Sequence, residues 1–231
     1  MLVALTRSVP PSIDRCELTH LEREPIDYAR AVREHAAYEG ALRTLGCRVE
    51  RLPDLADDPD SVFVEDTAVV FDQVAVIARP GADSRRGEVE STARALAAHR
   101  PLARIDAPGT LDGGDVLVTP GRVFVGVSGR TNTDGVRQLA AILAPHGIEV
   151  IAVPVTGCLH LKSAVTLLRA PRTLLINAAW VDPSHFTGFD LVEVAPPYDT
   201  QAQVTALTAA NLAYEMLTLR ALAPTPAPPG G

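Results

Sequence analysis

Gly46-Cys-Arg-Val-Glu-Arg-Leu-Pro53 and Gly147-Ile-Glu-Val-Ile-Ala-Val-Pro154 share one pattern, Gly-x-x-Val-x-x-x-Pro. In each, the glycine stops a helix and a short strand runs on to the proline. Upstream of the first, residues 26–45 set Tyr28, Ala31, Val32, Tyr38, Leu42 and Leu45 on one helical face, with Pro25 at the start. Upstream of the second, residues 134–145 group Val136, Leu139, Ala140 and Leu143. Two more strands end at a proline, Leu102 to Pro108 and Leu191 to Pro196. A helix over 86–98, with Val89, Ala93, Leu96 and Ala97 together, and a short one opening at Asp182-Pro183 lead into them. The strand-ending prolines are spaced by 55, 46 and 42 residues, the interval of a repeated supersecondary unit.

Between each proline and the next helix the sequence reads as a hairpin. The first is Val62–Phe71 with Val74–Ala78, and the second is Val116–Thr119 with Val123–Val127 across Pro120-Gly121. The third is Leu159–Leu168 with Leu174–Asn177 across Ala170-Pro171. The unit is therefore strand, strand, helix, strand. The first strand of each hairpin opens on a charged motif: Glu65-Asp66, then Asp112-Gly-Gly-Asp115, then His160-Leu-Lys162. The loop after the second strand carries Arg85 in one unit and Arg130 in another. In a radial array, equivalent positions face the axis, so these acids, arginines and the histidine are expected to meet in one pocket. Buried charges of this kind need partners or a function.

The chain opens with Leu2–Leu5, the second strand of a unit whose first strand is missing, and the pattern decays after Pro196. Residues 206–223 form one Ala/Leu-rich segment and 223–231 a Pro-rich tail. The expectation is about four units of a ring that wants five, with exposed strand edges and an apolar flank that favour self-association.

Composition narrows the function. Apolar residues make up 47% and charged residues 21%, as in a globular core. With 21 Lys+Arg against 28 Asp+Glu the net charge is −7, and no basic run is longer than Arg85-Arg86, which argues against nucleic acid. No apolar run approaches the ~20 residues of a membrane span, and no signal peptide is evident, so a cytoplasmic location is expected. Cys16, Cys47 and Cys158 form neither a CxxC pair nor an even disulfide set, and no metal or cofactor is expected.

Five stretches carry a family resemblance: Ser61-Val-Phe-Val-Glu-Asp-Thr-Ala-Val-Val70, Arg79-Pro-Gly-Ala-Asp-Ser-Arg-Arg86, Thr110-Leu-Asp-Gly-Gly-Asp-Val-Leu117, Ser128-Gly-Arg-Thr-Asn132 and Leu159-His-Leu-Lys-Ser163. Together they resemble the dimethylarginine dimethylaminohydrolases of the guanidino-modifying superfamily, over residues 1 to about 211. The resemblance implies a pentein-like α/β propeller of pseudo-fivefold ββαβ units, its last unit incomplete, over 1–211, and a divergent tail over 212–231. It implies hydrolysis of an Nω-methylated arginine to citrulline and a methylamine, by a cysteine thiolate with a histidine as acid and base. His160 matches the catalytic histidine and Asp112 another active-site acid. Asp60, Glu65 and Asp66 match residues that hold the substrate, Arg85 and Arg130 those that grip its carboxylate, and Leu18 a lid residue. The implied partner is a small guanidino molecule.

The family nucleophile is a cysteine near the C-terminus, and no cysteine follows Cys158 here. The expectation is a truncated or divergent chain without turnover. Two other readings stay open: an arginine deiminase-like enzyme and a non-catalytic guanidine-binding remnant. Singly, each motif has a plainer reading: Glu65-Asp66 as a solvated strand end, Asp112-Gly-Gly-Asp115 as a tight turn, Arg130-Thr-Asn132 as a helix cap, His160 as a core histidine. Cys158, two residues before His160, would share one strand face with it, and its plainer reading is a small buried residue.

Overall fold

The computed structural model describes residues 2–20, 22–167 and 172–194. The chain opens with strand β1 (Val3–Thr6), helix α1 (Tyr28–Thr44) and strand β2 (Arg48–Arg51), and β1 and β2 pair in parallel. Next come β3 (Ala68–Val70), β4 (Ala75–Ile77), α2 (Val89–Leu96) and β5 (Leu102–Arg104). The same order recurs in β6 (Val116–Thr119), β7 (Arg122–Val127), α3 (Thr133–Leu143) and β8 (Glu149–Pro154). A short helix α4 (Leu161–Ala164) precedes β9 (Val165–Leu167), β10 (Thr173–Ile176) and β11 (Asp190–Glu193). Each three-stranded sheet joins an antiparallel hairpin to a parallel third strand, β3-β4-β5, β6-β7-β8 and β9-β10-β11. This is the expected α/β propeller of ββαβ units. Among the described residues the opening unit holds two strands, as expected, and the fourth already has all three.

Local sequence explains the elements. Asp27 caps α1 by accepting the Arg30 N–H, and Asn132 caps α3 by accepting that of Gly135. The cap reading of Asn132 therefore holds. Gly46, Gly121 and Gly147 have positive φ where helices stop and the β6–β7 hairpin turns. Val89, Ala93 and Leu96 bury one stripe of α2 against Ala75 and Ile77 of β4. Leu139 and Leu143 of α3 are fully buried with Val123 and Val125 of β7. Each fully buried aliphatic of this kind contributes about 1.5–3 kcal/mol.

Three expectations are corrected. The first strands of the first and third hairpins begin at Ala68 and Val165, because the charged motifs before them fold as tight turns. Asp66, Asp115 and Ser163 donate their backbone N–H to the carbonyls of Phe63, Asp112 and His160, so one turn recurs in three units. The expected helix at Asp182-Pro183 is a single 3-10 turn, Pro183–Phe186, with Asp182 accepting the Ser184 N–H. On α1 the predicted apolar face is largely open: Leu42 is buried, but Tyr28, Val32 and Leu45 are 43%, 40% and 60% exposed. A two-stranded sheet is too narrow to cover that face. The Ala170-Pro171 turn, Pro196, the 206–223 segment, the tail and the division at 211 lie outside the described residues.

A polar network docks α1 instead. Glu39, fully buried, accepts from Thr6 Oγ1 at 2.8 Å, from Arg51 Nε and Nη2 at 2.8 and 2.7 Å, and from Arg43 Nη2 at 3.1 Å. The Arg51 hydrogen bonds outweigh burial and bring its carboxyl down to about 2. A depressed carboxyl stabilises the fold above its unfolded value of 4.5 and loses that contribution as pH falls toward 2. Glu39→Gln is expected to cost about 1–3 kcal/mol at neutral pH in chemical denaturation. The gap between variant and parent should shrink between pH 4.5 and 2, and a constant gap would remove Glu39 as its source.

Candidate active site

The recurrent turns bring the sequence-predicted polar residues together. A cavity of about 770 Å³ is lined by Leu18, Asp60, Glu65, Asp66, Arg85, Arg130 and His160, with Thr6, Ala68 and Val116 showing that several units meet there. Asp112 stands directly behind the histidine: His160 Nε2 and Asp112 Oδ2 are 3.3 Å apart.

Asp66 is the most constrained of the acids. Its Oδ1 accepts the Gly114 N–H at 2.9 Å and its Oδ2 accepts from Arg85 Nη1 at 2.7 Å. Burial raises the Asp66 carboxyl, but the charges of His160 and Arg85 and these hydrogen bonds outweigh it, and the net shift is downward. His160 moves the other way. Burial lowers it, while the Asp112 hydrogen bond and the charges of Asp66, Asp115 and Asp112 raise it further, so the imidazolium is favoured.

Arg85 is also buried, at 4% exposure, and most of its donors are spent. Besides Asp66, it donates from Nε and Nη2 to Glu88 at 3.2 and 2.9 Å and from Nη2 to the carbonyls of Asp60 and Phe63, each at 3.2 Å. Here it holds the acidic floor of the cavity. Arg130 is less committed, donating to Thr19 Oγ1 at 3.3 Å. Thr19 belongs to a strap over the cavity. Asp60 pins that strap by accepting the Glu17 N–H on both oxygens, and burial pushes the Asp60 carboxyl up. At the rim Lys162 pairs with Glu65.

The glycines of Asp112-Gly-Gly-Asp115 explain why a turn is built here, and φ is not the reason, since neither has a positive value. A Cβ on Gly113 would lie 2.1 Å from the Glu65 carbonyl oxygen. One on Gly114 would lie 2.6 Å from His160 Nδ1 and 2.8 Å from Asp66 Oδ1. The motif lets three units close on one point.

Asp66, Asp112 and His160 each place a ligand atom within 4.8 Å of the others, a spacing a metal ion could use. The same residues also accept from Gly114, Arg85 and Gly81, and His160 pairs with Asp112, so the trio forms an acid–histidine network within the fold.

Cys158 does not share a strand face with His160. Neither residue is in a strand: the backbone turns at Gly157, φ 76°, and His160 caps α4. The Cys158 thiol donates to the His160 carbonyl at 3.3 Å, and burial, with Asp115 adding to it, pushes that thiol up to about 12. It is a thiol, not a thiolate, at neutral pH.

Sequence reasoning quoted Asp115, Ser128 and Thr131 inside motifs but gave them no role. Asp115 Oδ1 accepts the Leu161 N–H at 2.9 Å and Thr131 Oγ1 accepts the Asp112 N–H at 3.1 Å. Their signal is the conjunction of Asp112-Gly-Gly-Asp115 with Ser128-Gly-Arg-Thr-Asn132. Gly114→Ala should displace His160 from its acidic partners. The expected result is a fall in the His160 apparent pKa followed by its imidazole NMR signals, and an unchanged titration would contradict this packing.

Two family descriptions match the chain. "N,N dimethylarginine dimethylhydrolase, eukaryotic" covers residues 14–163, and "Arginase family" covers 168–218. An N(G),N(G)-dimethylarginine dimethylaminohydrolase of Streptomyces coelicolor is 47% identical over 71% of this chain and 64% of its own length. One of Pseudomonas aeruginosa is 38% identical over 79% of this chain and 71% of its own. The solved structure of a Pseudomonas aeruginosa cysteine-to-serine variant complexed with citrulline superposes with a TM-score of 0.79 at 35% identity, covering 85% of this chain and 77% of that one. The chain thus spans somewhat under two thirds of the Streptomyces protein. On a match to well over half of its residues, and on a fold shared with a solved member, this chain belongs to the dimethylarginine dimethylaminohydrolase family.

Proposed function

We propose that the cavity binds an Nω-methylated arginine and that its polar residues serve the family's conversion of that substrate to citrulline and a methylamine. One observation carries the reading: buried Asp66 and His160 with Asp112 behind it stand on the floor, and Asp60 and Arg130 stand at the strap. A planar guanidinium suits the carboxylates of Asp66 and Glu65, which accept paired N–H bonds. An α-amino and α-carboxylate pair suits the opposite charges of Asp60 and Arg130, with Leu18 covering the stem. Arg85 adds positive charge from beneath while it aims Asp66. About 770 Å³ is within the usual range for a small-molecule site.

In the reaction so proposed, a thiolate attacks the guanidinium carbon and a tetrahedral adduct forms. The C–N bond to the methylated nitrogen breaks as the protonated form of His160, favoured by Asp112, gives its proton to the departing amine. Neutral His160 then takes a proton from water, the hydroxide adds to the same carbon, and the C–S bond breaks to leave citrulline.

The thiolate is the part these residues do not supply. Burial raises all three thiols, Cys16, Cys47 and Cys158, above their ordinary value. The proposal is therefore binding and acid–base chemistry from this chain, with turnover requiring a thiol from outside these 231 residues.

Calorimetry with asymmetric dimethylarginine should show one site, weakened about 10- to 100-fold by Asp66→Asn, the loss expected for hydrogen bonds to a charged group. Citrulline should stay undetectable. An extension in frame that adds the family's Cys-bearing strand should restore it. Citrulline formed by the unextended chain and abolished by Cys158→Ser would overturn this account, and tighter binding of arginine than of dimethylarginine would favour a deiminase.

A further inference from the structure

Asp115 is fully buried and lies one unit away from the histidine, yet its carboxylate meets a backbone N–H on the His160 side and side-chain hydroxyls on the Arg130 side. Oδ1 accepts the Leu161 N–H at 2.9 Å, next to His160 at the start of α4. Oδ2 accepts the Ser128 hydroxyl proton at 2.7 Å, and the Thr131 hydroxyl also hydrogen-bonds the same carboxylate. Ser128 Oγ in turn accepts the N–H groups of Arg130 at 3.0 Å and Thr131 at 3.2 Å. Thr131 Oγ1 accepts the Asp112 N–H, and Asp112 backs His160. One continuous run of hydrogen bonds thus leads from the turn that carries His160 to the loop that carries Arg130, and returns to His160 through Asp112.

The chemistry leaves little choice of residue. A hydroxyl that already accepts two N–H bonds must donate its proton, so the atom facing Ser128 must be an acceptor. The atom facing Leu161 must be one as well. A carboxylate supplies two acceptors at that separation, whereas an amide presents one acceptor and one donor. The fold makes room for it: a Cβ on Gly126 of β7 would lie 2.6 Å from Asp115 Oδ1 and 2.9 Å from Leu161 Cβ.

We propose that Asp115, acting through Ser128 and Thr131, is a positioning residue that keeps His160 and the Arg130 loop in one register, so that both ends of a guanidino amino acid are met at once. Asp115 touches neither the cavity nor a reacting atom. The inference rests on the functional reading above for the identity of the ligand, but the hydrogen-bond run stands without it.

The informative variant is Ser128→Ala, because it leaves the charge of Asp115 in place, whereas Asp115→Asn alters the field at His160 directly. Affinity is measured for asymmetric dimethylarginine and for methylguanidine, which has the guanidinium but no carboxylate. The His160 imidazole titration is followed by NMR in parallel. Ser128→Ala is expected to weaken dimethylarginine about tenfold, the cost of one net hydrogen bond, and methylguanidine by less than about twofold. The apparent pKa of His160 should fall as the loop that carries Thr131 loses its Ser128 tie and shifts the Asp112 anchor, and Ser128→Thr, which keeps the hydroxyl, should restore both readings. Equal losses for the two ligands with an unmoved His160 titration would overturn the proposal and leave Ser128 as packing alone. If the parent chain binds neither ligand, the functional reading fails. The His160 titration and the exchange protection of the Leu161, Arg130 and Thr131 amides then test the run without any ligand. Protection lost at Arg130 and Thr131 together with a lowered His160 pKa supports the proposal, and either one unchanged overturns it.

Discussion

A carboxylate that accepts a backbone N–H from the turn of the next unit is the contact on which this fold depends. Asp66 takes that of Gly114, and Asp115 takes that of Leu161. Each bond spans nearly fifty residues of sequence, and each locks one ββαβ unit to its neighbour at the axis. A charge-assisted bond to an amide is among the stronger hydrogen bonds available in a buried setting. If either acid were misplaced, the turn it holds would leave a buried donor unsatisfied, at the expense of the desolvation of that group.

Placing carboxylates at the axis creates a second constraint, because buried charges must be compensated. The compensation is graded. Arg85 satisfies Asp66 and Glu88 together, His160 sits against Asp66, Asp112 and Asp115, and Lys162 meets Glu65 at the rim. Structural neutralisation and chemistry therefore use the same groups: the field of the acids that the cations neutralise also favours the protonated form of the histidine. The same field, together with burial, keeps the Cys158 thiol protonated although it lies only two residues from that histidine. Proximity in sequence brings the sulfur near, and electrostatics makes it unreactive.

Much of the site was legible because the repeat makes it so. Once Glu65-Asp66, Asp112-Gly-Gly-Asp115 and His160-Leu-Lys162 are taken as equivalent, their convergence follows from the symmetry of the array. The reading failed in conformation: those motifs are turns and not strand ends, since period-two alternation of valines around an acid looks like a strand whatever the acid does. It failed also on α1, where Tyr28, Val32 and Leu45 fit an apolar stripe, while the buried contact runs through Glu39 to Thr6 and Arg51. A glutamate on a helix gives no local sign that an arginine on a strand will close over it.

By itself the sequence determined the α/β class, the unit of strand, strand, helix, strand, the order of the units and the residue types that face the axis. These follow from short-range chemistry: glycine and proline stops, helix caps and hydrophobic periodicity act over a few residues. The tertiary structure alone decided which oxygen of Asp66 meets Gly114 and which meets Arg85, that Arg85 builds the floor while Arg130 stays the less committed cation, and that Asp115 links the His160 turn to the Arg130 loop. Those outcomes depend on contacts between distant units and on how far each group is removed from water, and both quantities exist only once the units have closed on one another.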